Sequence, residues 1–345
     1  MSERSDVVLV GGGIVGLATA YRIRQQRPDL AVTVLEKETR VGRHQSSHNS
    51  GVLHAGIYYA PGSRKAELCR RGKEAMERFA AEHGIAVDRN GKLVVAVDER
   101  ELLGLAALTE RATANGVPGL RELDADELHE VEPNVAGIRA LHSPSTAVVD
   151  FGAVCDALAQ EVDVRTNVEV VELAENSSAV RVTTTDGDLE ANAAIVCAGL
   201  WSSRLARGAG FSADIQIVPF RGSWVALRPS GAALVRGNIY PVPDPELPFL
   251  GVHLTKRIDG SVWAGPNAVL SLADRSLVRD AVRFGGLWRL ARREARVAAH
   301  EFHLSHRRRA ALAELNRYVP ELRHDDVEWT NRPFGVRAQA VRRDG

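Results

Sequence analysis

Cysteine is scarce in this chain: Cys69, Cys155 and Cys197 are the only three in 345 residues, and they lie far apart with no CxxC spacing. That spacing argues against a structural zinc site or a disulfide framework and for a reducing compartment, with each thiol acting as a small buried hydrophobe. Net charge is absent too. Lys plus Arg number 44 and Asp plus Glu number 44, which removes any general electrostatic case for nucleic acid. No apolar run is long enough to span a bilayer, and the first strand begins by about residue 6, leaving no room for a secretory leader. The expected location is cytoplasmic. No internal repeat or low-complexity linker is visible, so the parts of the chain should form one interlocked body.

The rest of the composition is that of a globular protein, with 45% hydrophobic and 26% charged residues. At 345 residues the chain exceeds the usual size of one core, which implies two domains or one large domain with an insertion.

The most informative local feature is near the start. An apolar strand, Val7 to Val10, runs into Gly11-Gly12-Gly13-Ile14-Val15-Gly16 and then into an amphipathic helix, Leu17 to Arg27. Gly11 permits a tight turn, Gly13 lets backbone N–H groups approach a pyrophosphate, and Gly16 lets helix and strand pack closely, so a helix N-terminus meets the phosphate charge. A second strand, Ala31 to Leu35, ends in Glu36, where a carboxylate can accept both ribose hydroxyls. The competing reading is a βαβ unit whose glycines serve only packing.

NAD and FAD share this fingerprint, and a later stretch separates them. Residues 168–173 and 180–185 read as short strands, Asp186-Gly187 as a turn, and 193–199 as a buried strand ending in Ala198-Gly199. A β-meander followed by a return strand resembles the FAD-binding half of glutathione-reductase-type flavoproteins. The fold class expected is α/β: a Rossmann-like FAD-binding domain with an inserted α+β substrate domain. The resemblance implies cofactor contacts at Gly11, Gly13, Gly16, Glu36, Lys37, Val168, Ala198 and Gly199.

Residues 40–59, RVGRHQSSHNSGVLHAGIYY, carry small, polar and aromatic residues without helical or strand periodicity. Repeated Gly and Ser suit close approach of backbone to a ligand, and His48 and His54 can exchange protons near neutral pH. Together with Pro61 to Lys65, this segment resembles the L-2-hydroxyglutarate dehydrogenase/oxidase family within the D-amino-acid-oxidase-like flavoproteins. Further similar segments are Pro219 to Gly222, Tyr240 to Pro245, Leu250 to Thr255, Gly265 to Ala268 and Gly335 to Ala340. The resemblance implies FAD-dependent oxidation of L-2-hydroxyglutarate to 2-oxoglutarate, with electrons passed to oxygen or a respiratory-chain acceptor. It adds Ser46, Ser47, Asn49, Ser50 and Gly51 to the cofactor contacts. No metal is expected.

Oxidising an α-hydroxy acid requires a hydride acceptor and a base for the hydroxyl proton. Neutral imidazole suits the base. His54 is the first candidate, because the resemblance places its segment beside the flavin ring, and His253 is the second; His48 is left to orient the flavin or hold the loop. Both histidines also admit a purely structural reading. The two carboxylates of the substrate call for fixed positive charge, which Arg221 and Arg337 can offer as planar forks. Pairing with protein carboxylates is their alternative role. Tyr58, Tyr59 and Tyr240 suit pocket walls or hydrogen bonds to substrate.

The FAD domain is expected from residues 1–85, 146–215 and 328–345, and the substrate domain from 86–145 and 216–327, the latter continuing into long helices after Ala268. Between Arg275 and Arg309 lie ten arginines and three acids among apolar residues including Trp288. This basic amphipathic stretch suggests contact with an anionic membrane surface, its alternative being a helix packed on the domain. Family members continue beyond the Gly-Val-Arg-Ala-Gln segment, whereas this chain stops at Gly345, and the expectation drawn from that is weak FAD binding and slow turnover. Two other readings stand beside the leading one: an FAD enzyme of another 2-hydroxy or amino acid, and an inactive FAD-binding chain.

Overall fold

A computed structural model of the chain describes residues 3–176, 178–211, 214–244 and 251–345. Pro245 and Leu250, both part of the similar segments above, lie outside the described residues.

The first strand, Glu3–Val10, is central in a six-stranded sheet whose order is Val170–Glu175, Val180–Thr184, Gly187–Val196, Glu3–Val10, Val32–Leu35, Asp163–Arg165. Its neighbours on both sides run parallel to it. A parallel sheet must be covered on both faces, and the alternation along this strand supplies both. Leu9 turns toward Leu17, Ala20, Phe79, Val154 and Leu158, largely from the helices Ile14–Gln26, Arg64–Glu82 and Phe151–Gln160. Val8 and Val10 turn the other way, onto Leu35, Val170, Leu173 and Val182. The return strand, expected at 193–199, begins directly after the Asp186-Gly187 turn and runs as one continuous strand, Gly187–Val196. Gly187 to Ala191 pair antiparallel with Val180–Thr184, and Leu189 to Val196 pair parallel with Glu3–Val10.

The first helix begins at Ile14, three residues before the amphipathic pattern places it. The physical reason lies outside the segment: Gly13 takes an extended conformation with no side chain to cap, and the Ser46 hydroxyl from the later loop accepts the Ile14 N–H at 3.0 Å.

A second, eight-stranded mixed sheet takes the order Val327–Glu328, Val225–Leu227, Val262–Gly265, His253–Lys256, Asn238–Pro241, Lys92–Ala96, Arg139–Ser143, Arg121–Asp124. Side-chain alternation divides it into two cores. Leu93 and Val95 face Leu315, Tyr318, Val319 and Leu322, while Val94 and Ala96 face Ala55, Ile57, Leu105, Leu108 and Tyr240. By this parity Lys92 shares the second face.

Two long strands, Ile215–Ser223 and Phe334–Arg342, form an antiparallel ribbon in register over nine residue pairs. The chain after Ala268 does not form the long helices expected. It forms four short ones, Arg275–Arg283, Gly285–Arg293, Ala295–His306 and Arg308–Asn316. One cause is steric. A Cβ at Gly286 would stand 1.9 Å from the Arg342 carbonyl oxygen, so the helix backbone lies directly on the ribbon and its course is set by that contact. Among the described residues no helix is long and apolar enough to cross a membrane.

Candidate active site

One cavity of about 970 Å³ begins at the glycine turn and ends at His54. At its first end the strand Glu3–Val10 breaks at Gly11, whose φ of +112° and close approach to Cys197 O, 2.6 Å from an added Cβ, exclude any larger residue. Gly16 does not line the cavity. It lets the helix touch the turn, since a Cβ there would lie 2.1 Å from the Gly11 carbonyl oxygen. Gly13 faces the cavity beside Ser46. Glu36 is buried at the end of the second strand, its two carboxylate oxygens accepting the Gly12 N–H at 2.7 Å and the Glu38 N–H at 2.9 Å. Each oxygen keeps a second lone pair that can accept a hydroxyl donor, and Glu36 lines the cavity. Backbone N–H groups, a helix N-terminus and a ribose-accepting carboxylate in one cavity are the donor and acceptor set that a dinucleotide needs.

Val168 closes this end. Its N–H donates to Glu36 O, which brings the chain past the carboxylate before the meander starts at Val170. Lys37, Ala198 and Gly199 also line the cavity. Lys37 pairs with Glu38 and lies over the Trp201 ring, while His44 bonds Glu38 at 3.1 Å. Desolvation, with Lys37 nearby, lowers the His44 pKa.

The 42–51 loop is held by its own side chains. Asn49 Nδ2 donates to the Gln45 and Ser46 carbonyls at 3.0 and 2.7 Å, and Asn49 Oδ1 accepts from Gly51 N–H at 2.8 Å. Ser46, Asn49 and Ser50 face the cavity. Ser47 and Gly51 do not appear in its wall: the Ser47 hydroxyl donates to Gly42 O at 2.7 Å, and Gly51, at φ +78°, turns the chain against Val149 O. His48 is exposed, and its Nδ1 donates to His44 O. These three therefore sit where loop conformation is set.

At the far end the sequence candidates converge. Tyr240 and His253 are on adjacent strands of the eight-stranded sheet, stacked with ring centroids 4.1 Å apart, and His54 meets the edge of Tyr240 at 6.4 Å. His253 Nδ1 donates to Gly251 O at 3.0 Å, which leaves Nε2 as an acceptor. Burial lowers its pKa to about 4, with the charges of Lys92 and Arg337 acting in the same direction. His54 borders the cavity, and burial, then Lys92 and His253, holds its pKa well below 6.5. Burial pushes the Tyr240 phenol up to about 12 and that of Tyr58 well above 10. The Tyr58 hydroxyl is buried with no hydrogen-bond partner among the described residues. Tyr59 is 39% exposed and stands outside the cluster.

The arginines do not form a joint fork. In the ribbon Arg337 pairs with Phe220 and Arg221 with Val336, so their side chains leave opposite faces. Arg337 projects its charge onto His253. Arg221 donates to Ser223 Oγ at 3.1 Å and lies 4.1 Å over the Phe334 ring.

Sequence reasoning missed Lys92, which is 2% exposed, with its Nζ 3.4 Å from His54 Nδ1 and over the rings of Tyr240 (3.9 Å) and Tyr58 (4.4 Å). A lysine opening a strand normally reads as a solvated end, and nothing local distinguishes this one. It also missed Gln45, whose Oε1 accepts from Ala338 N–H and ties the loop to the ribbon, and Trp201 and Arg204 in the cavity wall.

The family model of FAD-dependent oxidoreductases (DAO) matches residues 6–345. Over 372 aligned residues the chain is 41% identical to an L-2-hydroxyglutarate dehydrogenase, mitochondrial, of Nematostella vectensis, covering 100% of this chain and 81% of that protein. It is 40% identical to the enzyme of that description from Homo sapiens (99% and 79% covered) and to an L-2-hydroxyglutarate dehydrogenase of Escherichia coli K12 (99% and 83%). The fold is shared with L-alpha-glycerophosphate oxidase from Mycoplasma pneumoniae with FAD bound, at TM-score 0.79 and 23% identity over 98% of this chain and 84% of that one. Glycine oxidase from Geobacillus kaustophilus gives TM-score 0.74 at 22% identity, covering 98% and 84%.

Proposed function

The chain belongs to the DAO family of FAD-dependent oxidoreductases, and on that footing we propose that it oxidises L-2-hydroxyglutarate to 2-oxoglutarate. The observation that carries this reading is identity of about 40% over nearly the whole chain with enzymes named for that reaction. FAD, when bound, supplies the acceptor for the hydride that leaves substrate C2. The residues that would hold it are Gly11, Gly13, Glu36, Lys37, Ser46, Asn49, Ser50, Val168, Ala198 and Gly199, all in the wall of one cavity. Gly16, Ser47 and Gly51 support that wall.

The eight-stranded sheet, drawn mainly from 86–145 and 216–327, supplies the substrate side through Tyr240 and His253. His54 Nε2 takes the hydroxyl proton. Desolvation keeps this imidazole neutral at physiological pH, so the base is present in its reactive form. Arg337, on the ribbon face directed at His253, pairs with a substrate carboxylate; the orphaned Tyr58 hydroxyl donates to substrate or walls the site. His253 accepts through Nε2, and at a pKa of about 4 it remains an acceptor throughout the working range.

The test is anaerobic addition of L-2-hydroxyglutarate to the FAD-loaded protein, followed in the visible flavin band. Bleaching supports the reading; a yellow protein that bleaches only with another 2-hydroxy or amino acid replaces the substrate. A peripheral membrane contact at 275–309 is the second proposal, supported by exposed Trp288 and Phe302 among arginines. Flotation with anionic liposomes at low salt checks it, and absence of binding there removes it.

A further inference from the structure

His54 presents a difficulty as a base. The same burial that keeps it neutral makes it reluctant to become an imidazolium, and general-base efficiency falls when the conjugate acid is unstable. A second group beside it changes this. Lys92 Nζ stands 3.4 Å from His54 Nδ1, enclosed by the rings of Tyr58 and Tyr240, and unlike His54 it does not line the cavity. No carboxylate among the described residues pairs with it.

We propose that Lys92, as a neutral amine, is the proton partner of His54: it accepts the Nδ1–H, leaves Nε2 bare toward substrate, and receives the Nδ1 proton when Nε2 takes one. This rests on the reading of His54 as the base. The step balances. The substrate O–H bond breaks and an Nε2–H bond forms; the Nδ1–H bond breaks and a third N–H bond forms on Nζ. His54 stays neutral throughout, and the positive charge appears on Lys92, over two aromatic faces that favour a cation. Lys92 does not touch substrate, so it is a positioning and relay residue.

Protonated Lys92 has the opposite effect. An ammonium can only donate, which forces His54 into the Nε2–H tautomer with no lone pair for the substrate. The titratable groups facing Lys92 are His54 and Tyr58 from the 54–59 segment, Tyr240 and His253 from the neighbouring strands, and Cys69 from the helix Arg64–Glu82. Lys73 acts on Cys69, and Arg337 on His253. Desolvation is the dominant cause that brings Lys92 down to about 7, with Cys69 acting weakly in the other direction. The amine and ammonium therefore exchange within the working range.

The deciding experiment is nitrogen NMR of the FAD-loaded enzyme labelled at histidine, with the His54 signals assigned through His54→Gln. The expected result is a switch of His54 from the Nε2–H to the Nδ1–H tautomer as pH rises through about 7, without protonation of the ring. One unchanged tautomer from pH 6 to 8.5 would overturn the proposal, whichever acid is the substrate; failure of L-2-hydroxyglutarate to bleach the flavin overturns only the substrate reading. The second measurement is the rate of flavin reduction against pH for wild type and Lys92→Met. Wild type should show an ascending limb near pH 7, and Lys92→Met should lose that limb and fall about ten- to hundredfold. A variant that keeps the limb refutes the relay.

Discussion

Gly16→Ala and Gly72→Ala are the same chemical change at two helical glycines, and the structure gives them opposite signs. At Gly16 the added Cβ would lie 2.1 Å from the Gly11 carbonyl oxygen, where ordinary contact begins at 3.4 Å. The obstructing atom is backbone inside the turn, so relief requires helix and strand to separate by about 1 Å. Overpacking of this kind costs roughly 1–3 kcal/mol of stability. The same displacement moves the helix N–H groups off the cofactor phosphates. One lost charge-assisted hydrogen bond is worth about 1.5–3 kcal/mol, which weakens FAD binding roughly ten- to hundredfold. At Gly72, exposed within Arg64–Glu82, nothing lies within 4 Å of the new methyl. Alanine there should add about 0.8–1 kcal/mol, or roughly 2 °C in Tm, and leave FAD affinity unchanged. Titration of apoprotein with FAD by flavin fluorescence, beside thermal unfolding of each variant, reads both quantities. Gly16→Ala binding FAD within about twofold of wild type, with an unchanged Tm, would refute the close contact between turn and helix.

His54→Gln should slow flavin reduction by about 10²–10⁴ with substrate affinity little changed, as single-turnover kinetics would show; a loss confined to affinity would remove His54 from the base role. Arg337→Met should weaken substrate about ten- to hundredfold, whereas Arg221→Met, on the opposite ribbon face, should change stability more than binding; equal effects on binding would contradict the register argument. Lys92→Met should be more stable than wild type at pH 6, by an amount on the order of a few kcal/mol, because Lys92 titrates near 7 when folded and near 10.5 when free. Below pH 7 both states hold the proton and the burial penalty is complete; between 7 and 10.5 only the unfolded state holds it, so wild type gains stability as pH rises. Urea unfolding at pH 6, 8 and 9.5 should show the advantage of the variant shrinking, and a constant difference would refute the assignment.

Much of the nucleotide half was legible because its determinants are local. The strand, the three glycines of the turn and Glu36 lie within about thirty residues, and each answers to one backbone requirement: a positive φ, a close approach, or an acceptor at a strand end. The meander was legible from its alternation and its Asp186-Gly187 turn. Its continuity with the return strand was not, because one long strand pairing first with one neighbour and then mainly with another has no local signature. The helix start at Ile14 was missed because its cap comes from Ser46, thirty-two residues later.

The sequence by itself determined the glycine turn with Glu36 at the next strand end, the flavoprotein class and the histidines worth testing, because glycine spacing and residue chemistry are properties of short segments. Only the tertiary structure decided how those residues stand to one another. The strand register places Arg221 and Arg337 on opposite faces, and sheet parity aligns Lys92, Tyr240 and His253 on one. Burial then brings the pKa of Lys92, unremarkable at the head of an apolar strand, down to about 7 beside His54. Charge, parity and desolvation are set by what packs opposite, and that partner comes from a distant part of the chain.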